Sequence, residues 1–209
     1  VDSRLGERYR SREGAAAYSR KFKRTLGRRL SNWRELALVS KALARAGHAE
    51  RILDCPCGAG RLLPVLLAAA RRVTEADFSL EMVRQARLSA GGAPVDLVTG
   101  TVLRLPFPDR AFDVAVCHRL MHHLSSEERG LALRELARVA RRAVVLSFAN
   151  GATGRARRRQ ARGGSSCVFL SEADLAADAA ASGLALLPPV LRKPFSTQSI
   201  AVLRVRDDG

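Results

Sequence analysis

Asp54 stands just ahead of a glycine pair in the run Leu53-Asp54-Cys55-Pro56-Cys57-Gly58-Ala59-Gly60-Arg61. Glycines without side chains let a ligand approach the backbone closely. A helix opening behind them would aim amide hydrogens and partial positive charge at that ligand. A second acid, Asp77, ends the stretch Glu75-Ala76-Asp77-Phe78-Ser79. A carboxylate at such a strand end can accept two hydrogen bonds from a ligand's hydroxyls, and Asp77 is preferred over Glu75 for that task. Gly100-Thr101-Val102 forms a third small-residue turn. The fourth constellation is Cys117-His118-Arg119-Leu120-Met121-His122-His123-Leu124. It carries no carboxylate at ligand spacing, so a metal site is not expected. His122 and His118 are the candidates for a general base acting on a substrate hydroxyl, beside a purely structural role.

These residues need strands to end beside them. Short apolar runs beginning at Arg51, Arg72, Val95, Phe112 and Ala143 read as strands. Helices are expected over 61–70, 79–89 and 125–140. Ser79 is placed as an N-cap, and Ser125 with Glu128 as a capping box. Strand–helix alternation implies a parallel sheet covered on both faces. A helix over 171–182, with Ser171 and Asp174 at cap spacing, precedes two strands, 184–190 and 199–206. Their short connection makes them an antiparallel pair. Gly151 to Gly164 reads as a Gly- and Arg-rich loop. The first fifty residues read as helices, with Tyr18, Phe22 and Leu26 on one stripe. Trp33, Leu36, Val39 and Leu43 form a second stripe, ending near Gly47.

Two cofactor classes use a strand–glycine turn–helix. A dinucleotide site wants a third small residue, where this chain has Leu63, and does not use an acid such as Asp54. The pattern D-x-P-x-G-x-G resembles instead the first motif of class I S-adenosylmethionine (SAM)-dependent methyltransferases, with Pro56 in place of the first glycine. Asp77, followed by Ser79 and Met82, is similar to that family's acid after strand two. Gly100-Thr101-Val102, Leu105-Pro106-Phe107-Pro108-Asp109 and Phe112-Asp113-Val114 resemble its third segment, with Thr101 where an Asp is usual. The helix segment 133–139 also fits, although the usual Pro-Gly-Gly turn after it is missing.

The resemblance covers 51–149 well and the tail loosely. It implies a Rossmann-like three-layer α/β sandwich with a seven-stranded, mostly parallel sheet in the order 3-2-1-4-5-7-6. The last strand would be antiparallel. One domain is expected, with a helical cap over 1–48, a SAM-binding core over 49–150 and a basic loop with the terminal strand pair over 151–209. It also implies SAM as cofactor. Asp54, Cys55, Pro56, Gly58 and Gly60 would form its loop. Asp77, Phe78 and Met82 would flank the ribose, Thr101 and Val102 the adenine, and His118 the strand-four edge. Tyr18 and Phe22 would close over it.

The acceptor is less constrained. Exocyclic-amine methylases of nucleic acids place an [N/D]-P-P-[Y/F]-like segment after strand four, and carbon-5 cytosine methylases a Pro-Cys pair. Neither occurs at Cys117. A small-molecule acceptor, methylated at oxygen, nitrogen or carbon, is therefore the leading expectation. The charge keeps RNA as a rival. The chain of 209 residues carries a net +16. Residues 1–50 hold +8 and residues 151–170 hold +5. The segments 1–50 and 155–162 would be the RNA-binding surface. A third reading keeps the fold without catalysis, with Thr101 as its only support. The four cysteines include no C-x-x-C pair, so reduced thiols and a cytoplasmic setting are expected. No secretory signal pattern and no membrane-length apolar run appears.

Overall fold

The computed structural model describes residues 11, 13–15, 17, 25–162 and 167–206. Tyr18 and Phe22 lie outside the described residues, so their expected closure over a ligand becomes a proposal.

Alternation of extended apolar runs with amphipathic helices builds seven strands. They are β1 (Ala49–Asp54), β2 (Ala70–Asp77), β3 (Val95–Thr99), β4 (Phe112–Cys117), β5 (Ala140–Ala149), β6 (Leu184–Arg192) and β7 (Gln198–Val205). They pair in the order β3-β2-β1-β4-β5-β7-β6. β7 runs antiparallel to both β5 and β6, and the other pairs are parallel. This is the topology expected from the sequence. Strands buried on both faces, such as β4, read as continuous apolar runs for that reason.

The helices are α1 (Leu26–Ala46), α2 (Leu63–Ala69), α3 (Leu80–Ala90), α4 (Ser126–Val139), α5 (Gly154–Ala161) and α6 (Glu172–Ala180). One apolar core joins α4 and α6 to the sheet through Leu133, Leu136, Leu175 and Phe148. A second, on the opposite face, joins α1 and α2 through Val39, Leu43, Leu63 and Leu66. The sheet is thus the middle of three layers. Both capping boxes form, Ser125 with Glu128 and Ser171 with Asp174, and Ser79 caps α3 by accepting from Met82 N.

Two expectations are corrected. Residues 154–161 are helical, not loop. Arg, Ala and Gln favour helix, and the Thr153 hydroxyl accepts from Ala156 N at 3.1 Å, which supplies the start signal. Trp33 does not belong to the buried stripe of α1. It is 65% exposed, because it sits roughly 120° round the helix from Val39. The face of α1 that meets the sheet is Val39, Ala42, Leu43 and Ala46, with Glu35 a turn earlier. Among the described residues no helix is long and apolar enough to cross a membrane.

Candidate functional site

Parallel pairing brings the ends of β1, β2 and β4 to one edge. Asp54 closes β1 and lies in register with Glu75 of β2. Asp77 follows two residues later on the same face of β2. All three carboxyls are buried. The loop from Cys55 to Arg61 wraps over them. It opens with a cis Cys55–Pro56 bond, and Gly58 and Gly60 take left-handed φ values of 56° and 70°. At Gly60 a Cβ would stand 2.9 Å from Leu63 Cδ1 and 3.0 Å from Ala86 Cα, so only glycine fits there.

The three acids are held differently. Asp77 Oδ2 accepts from Gly58 N and its Oδ1 accepts from Ser79 N, each at 2.9 Å. Asp77 therefore fastens the glycine loop to the head of α3. Burial raises it to about 6, against the pull of the Ser79 and Gly58 amides. Asp54 and Glu75 have no hydrogen-bond partner on any of their carboxyl oxygens. Burial pushes Glu75 up to about 8, with the Cys57 thiol opposing and Asp77 reinforcing the rise. Burial, and then the neighbouring Glu75, also hold Asp54 well above the carboxylate range. Unsatisfied buried carboxyls are costly. They lie directly beneath the glycine loop.

The remaining predicted residues border this edge in varied ways. Cys55 is buried in the core on the α4 side, and Pro56 is half-buried on the loop. Phe78 is half-buried, whereas Met82 packs beneath the loop against Ala59 and Ala15. Gly100 N donates to Asp77 O at 2.9 Å, which sets the Thr101 turn beside the acid. Thr101 is exposed and accepts from Leu103 N, and Val102 is buried. The Leu105–Asp109 segment is held by α4. Arg138 donates to the carbonyls of Leu105 and Phe107 and to Asp109 Oδ1, and Leu105 N donates to Glu135. Its resemblance to the family motif thus has a structural basis in anchoring.

A second polar centre lies next to the acids. Glu35 of α1, 2% exposed, accepts from Arg119 Nε at 2.8 Å and Arg119 Nη2 at 3.0 Å. It also accepts from Arg61 Nη2 at 3.1 Å and Lys193 Nζ at 2.6 Å. Burial would raise its pKa, but the hydrogen bond from Arg119 and the charges of Arg61 and Arg119 outweigh that and hold it far below the usual range. Arg119 takes a left-handed φ of 61°, and its N–H donates to Ser147 Oγ at 2.7 Å. The strained conformation is secured by these contacts. His118 belongs to this centre too. Its Nδ1 accepts from Arg61 Nη2 at 3.0 Å, which assigns the ring proton to Nε2, 3.3 Å from Glu35 Oε1. Burial and the Arg61 charge keep His118 neutral. His122 stacks beside His123 with ring centres 4.0 Å apart, and its Nδ1 has no partner. Burial first, then the charges of His123 and Arg119, lower it to about 3.

The sequence reading did not foresee Glu35 or Lys193. Glu35 interrupts the apolar face of α1 a turn before Val39, and that interruption was the available signal. Among the described residues no group of three or more His, Cys, Asp or Glu side chains could hold a metal ion.

A sheet of this order, with a glycine loop after β1 and an acid after β2, defines a Rossmann-like fold with its ligand edge at the strand ends. Residues 53–148 match the family model described as a methyltransferase domain. A putative methyltransferase of Encephalitozoon cuniculi is 32% identical over 133 residues, covering 61% of this chain and 59% of that protein. The demethylmenaquinone methyltransferase of Thermobifida fusca is 32% identical over 122 residues, covering 56% and 50%. Among solved structures, magnesium protoporphyrin IX methyltransferase from Synechocystis with bound SAH gives a TM-score of 0.80 at 20% identity. It covers 98% of this chain and 100% of that one. Its 53–148 segment is thus similar to methyltransferase domains, and the whole described chain shares their fold. The chain spans about half the length of the curated relatives it matches.

Proposed function

We propose that this chain binds SAM at the ends of β1 and β2 and methylates a small-molecule acceptor. The observation that carries this reading is the glycine loop over Asp54 and Asp77, with both Asp54 oxygens left without a partner. The residues fit the group. Gly58 and Gly60 leave room for an amino-acid moiety, Asp54 offers unused acceptor capacity to an ammonium, and Asp77 retains lone pairs for ribose hydroxyls. Thr101 and Val102 border the place for adenine. When bound, SAM supplies an electrophilic methyl group on a good, neutral leaving group.

The chain's own work is then alignment and exclusion of water. Asp77 fixes the loop to α3, and the Glu35 centre fixes Arg61 and Arg119. His118, enclosed in that centre, positions it, whereas His122, buried and lowered to about 3, is too weak a base to carry the proton transfer expected of it, so no separate base is assigned. Relatives named as acting on demethylmenaquinone and on magnesium protoporphyrin IX support a small-molecule acceptor. The buried thiols of Cys55, Cys57 and Cys117 accord with action in a reducing cytoplasm.

Calorimetry with SAM and with S-adenosylhomocysteine tests the cofactor. The expected result is binding of both, and a folded protein that binds neither refutes the reading. A second reading, an RNA acceptor, draws on the exposed arginines 155, 157, 158 and 159 of α5. It requires RNA retention that falls steeply with salt, and retention that does not respond to salt excludes it.

A further inference from the structure

Glu75 has no task in the reading above, yet it is fully buried and faces Asp54 across adjacent parallel strands. Neighbouring strands lie about 4.8 Å apart, so register partners on one face are close neighbours. None of the four carboxyl oxygens of the two residues has a hydrogen-bond donor. The groups facing the pair bring no positive charge, and only the neutral Cys57 thiol eases Glu75. Asp77 is a third acid, and its own oxygens accept from Gly58 and Ser79. Arg61 feels Asp54 at a distance but donates to Asn32, Glu35 and His118 and to neither acid of the pair. The thiols of Cys55, Cys57 and Cys117 are themselves pushed up by burial and stay neutral. Two enclosed carboxyls without a cationic or amide donor cannot both ionise.

The pair is therefore one positive charge short, and two species can provide it: a proton, or a cationic amine. We infer that Glu75 is the proton partner of Asp54, so that the ligand-free protein holds one proton on this pair and an α-ammonium group docking against Asp54 expels it. The exchange balances. One carboxyl O–H bond breaks, its proton passes to bulk buffer, and the ammonium N–H donates to the carboxylate left behind. No electron changes hands. Glu75 acts through Asp54 and is a positioning residue. The inference rests on the proposal that SAM binds here. It adds that binding is proton-linked, and that recognition of the amino-acid end depends on a residue outside the glycine motif.

Titration calorimetry in buffers of different ionisation enthalpy counts the protons. At neutral pH, S-adenosylhomocysteine should release close to one proton. Its affinity should rise by up to about tenfold per pH unit below about pH 8 and then level off. 5′-Methylthioadenosine, which lacks the amino-acid end, should release none. Glu75→Gln should bind S-adenosylhomocysteine with clearly less proton release and with the pH-dependent rise in affinity moved to lower pH, because Asp54 then keeps the effect of burial without that of Glu75. Infrared spectroscopy of the ligand-free protein should show a buried protonated carboxyl band that Glu75→Gln weakens. Equal proton release in wild type and Glu75→Gln, or release with 5′-methylthioadenosine, overturns the inference. S-Adenosylhomocysteine binding without proton release, or the absence of the band, overturns it while leaving the cofactor reading intact. A band in a protein that binds neither cofactor form overturns the ammonium assignment together with that reading.

Discussion

Two buried polar centres lie side by side at the strand ends and are organised in opposite ways. Around Glu35, one carboxylate meets Arg61, Arg119 and Lys193, and each contact is a hydrogen bond. Around Asp54, three carboxyls gather and two of them meet no cationic or amide donor. Burial acts on both. Donors reverse its effect at Glu35, and their absence lets it prevail at Asp54 and Glu75. The first centre is satisfied by the chain itself and holds segments together. The second is left unsatisfied by the chain's own donors, which is what the proposed ligand would change.

Removing a partner from the satisfied centre should have the largest effect. Glu35→Ala leaves buried cations without their anion and should cost about 3–5 kcal/mol in denaturant unfolding. A loss near zero would mean that the centre contributes no cohesion. The pH response should be opposite in the two centres. The folded pKa of Glu75 rises from 4.5 to about 8, so the folded state binds more protons across that window and stability falls as pH rises through it. The slope is at most about 1.4 kcal/mol per pH unit. Glu35 is lowered instead, so its contribution is complete above the ordinary carboxylate range and disappears only in strong acid. Unfolding curves across pH should show a steeper acidic-centre slope in wild type than in Glu75→Gln, where the burial of Asp54 remains without the charge of Glu75.

Asp77→Ala strips the acceptor from two amides and should weaken S-adenosylhomocysteine binding about tenfold or more, equivalent to about 1.4 kcal/mol, by calorimetry. Unchanged affinity would leave Asp77 a purely structural clasp. Asp54→Asn should sharpen the contrast, gaining about 1 kcal/mol of unfolding free energy while losing ligand affinity. If it destabilised the protein as Glu35→Ala does, the two centres would be alike. The smallest effect is expected at Thr101→Asp, a several-fold gain in affinity for adenosine-containing ligands, on the order of 1 kcal/mol for one charge-assisted hydrogen bond.

Much of the frame was legible because its signals are local. Strand ends, the Ser79 cap and both capping boxes depend on residues within a few positions of each other. The Asp54 loop was legible for the same reason. Helix α5 was misread because glycine and arginine content outweighed the Thr153 cap. The Glu35 centre was not legible at all, because Lys193 meets Glu35 across 158 positions of chain. No periodicity carries such a pairing, and α1 showed it only as a charge in an apolar face. Glu75 was visible in the sequence but ranked behind Asp77, since register with Asp54 exists only once β1 and β2 pair.

Strand order also sets a timetable. β6 is synthesised before β7, yet its only neighbour in the sheet is β7, which lies between it and β5. Lys193 follows β6 directly and so cannot take its place until residues 198–205 have emerged and inserted. A chain growing from its N-terminus therefore completes the acidic edge early but lacks a cation of the Glu35 centre until almost the last segment arrives. Fragments ending near residue 150 should carry the glycine loop while leaving one edge of the sheet bare. The final hairpin thus acts as the latch of an architecture whose acidic edge is written in its first half.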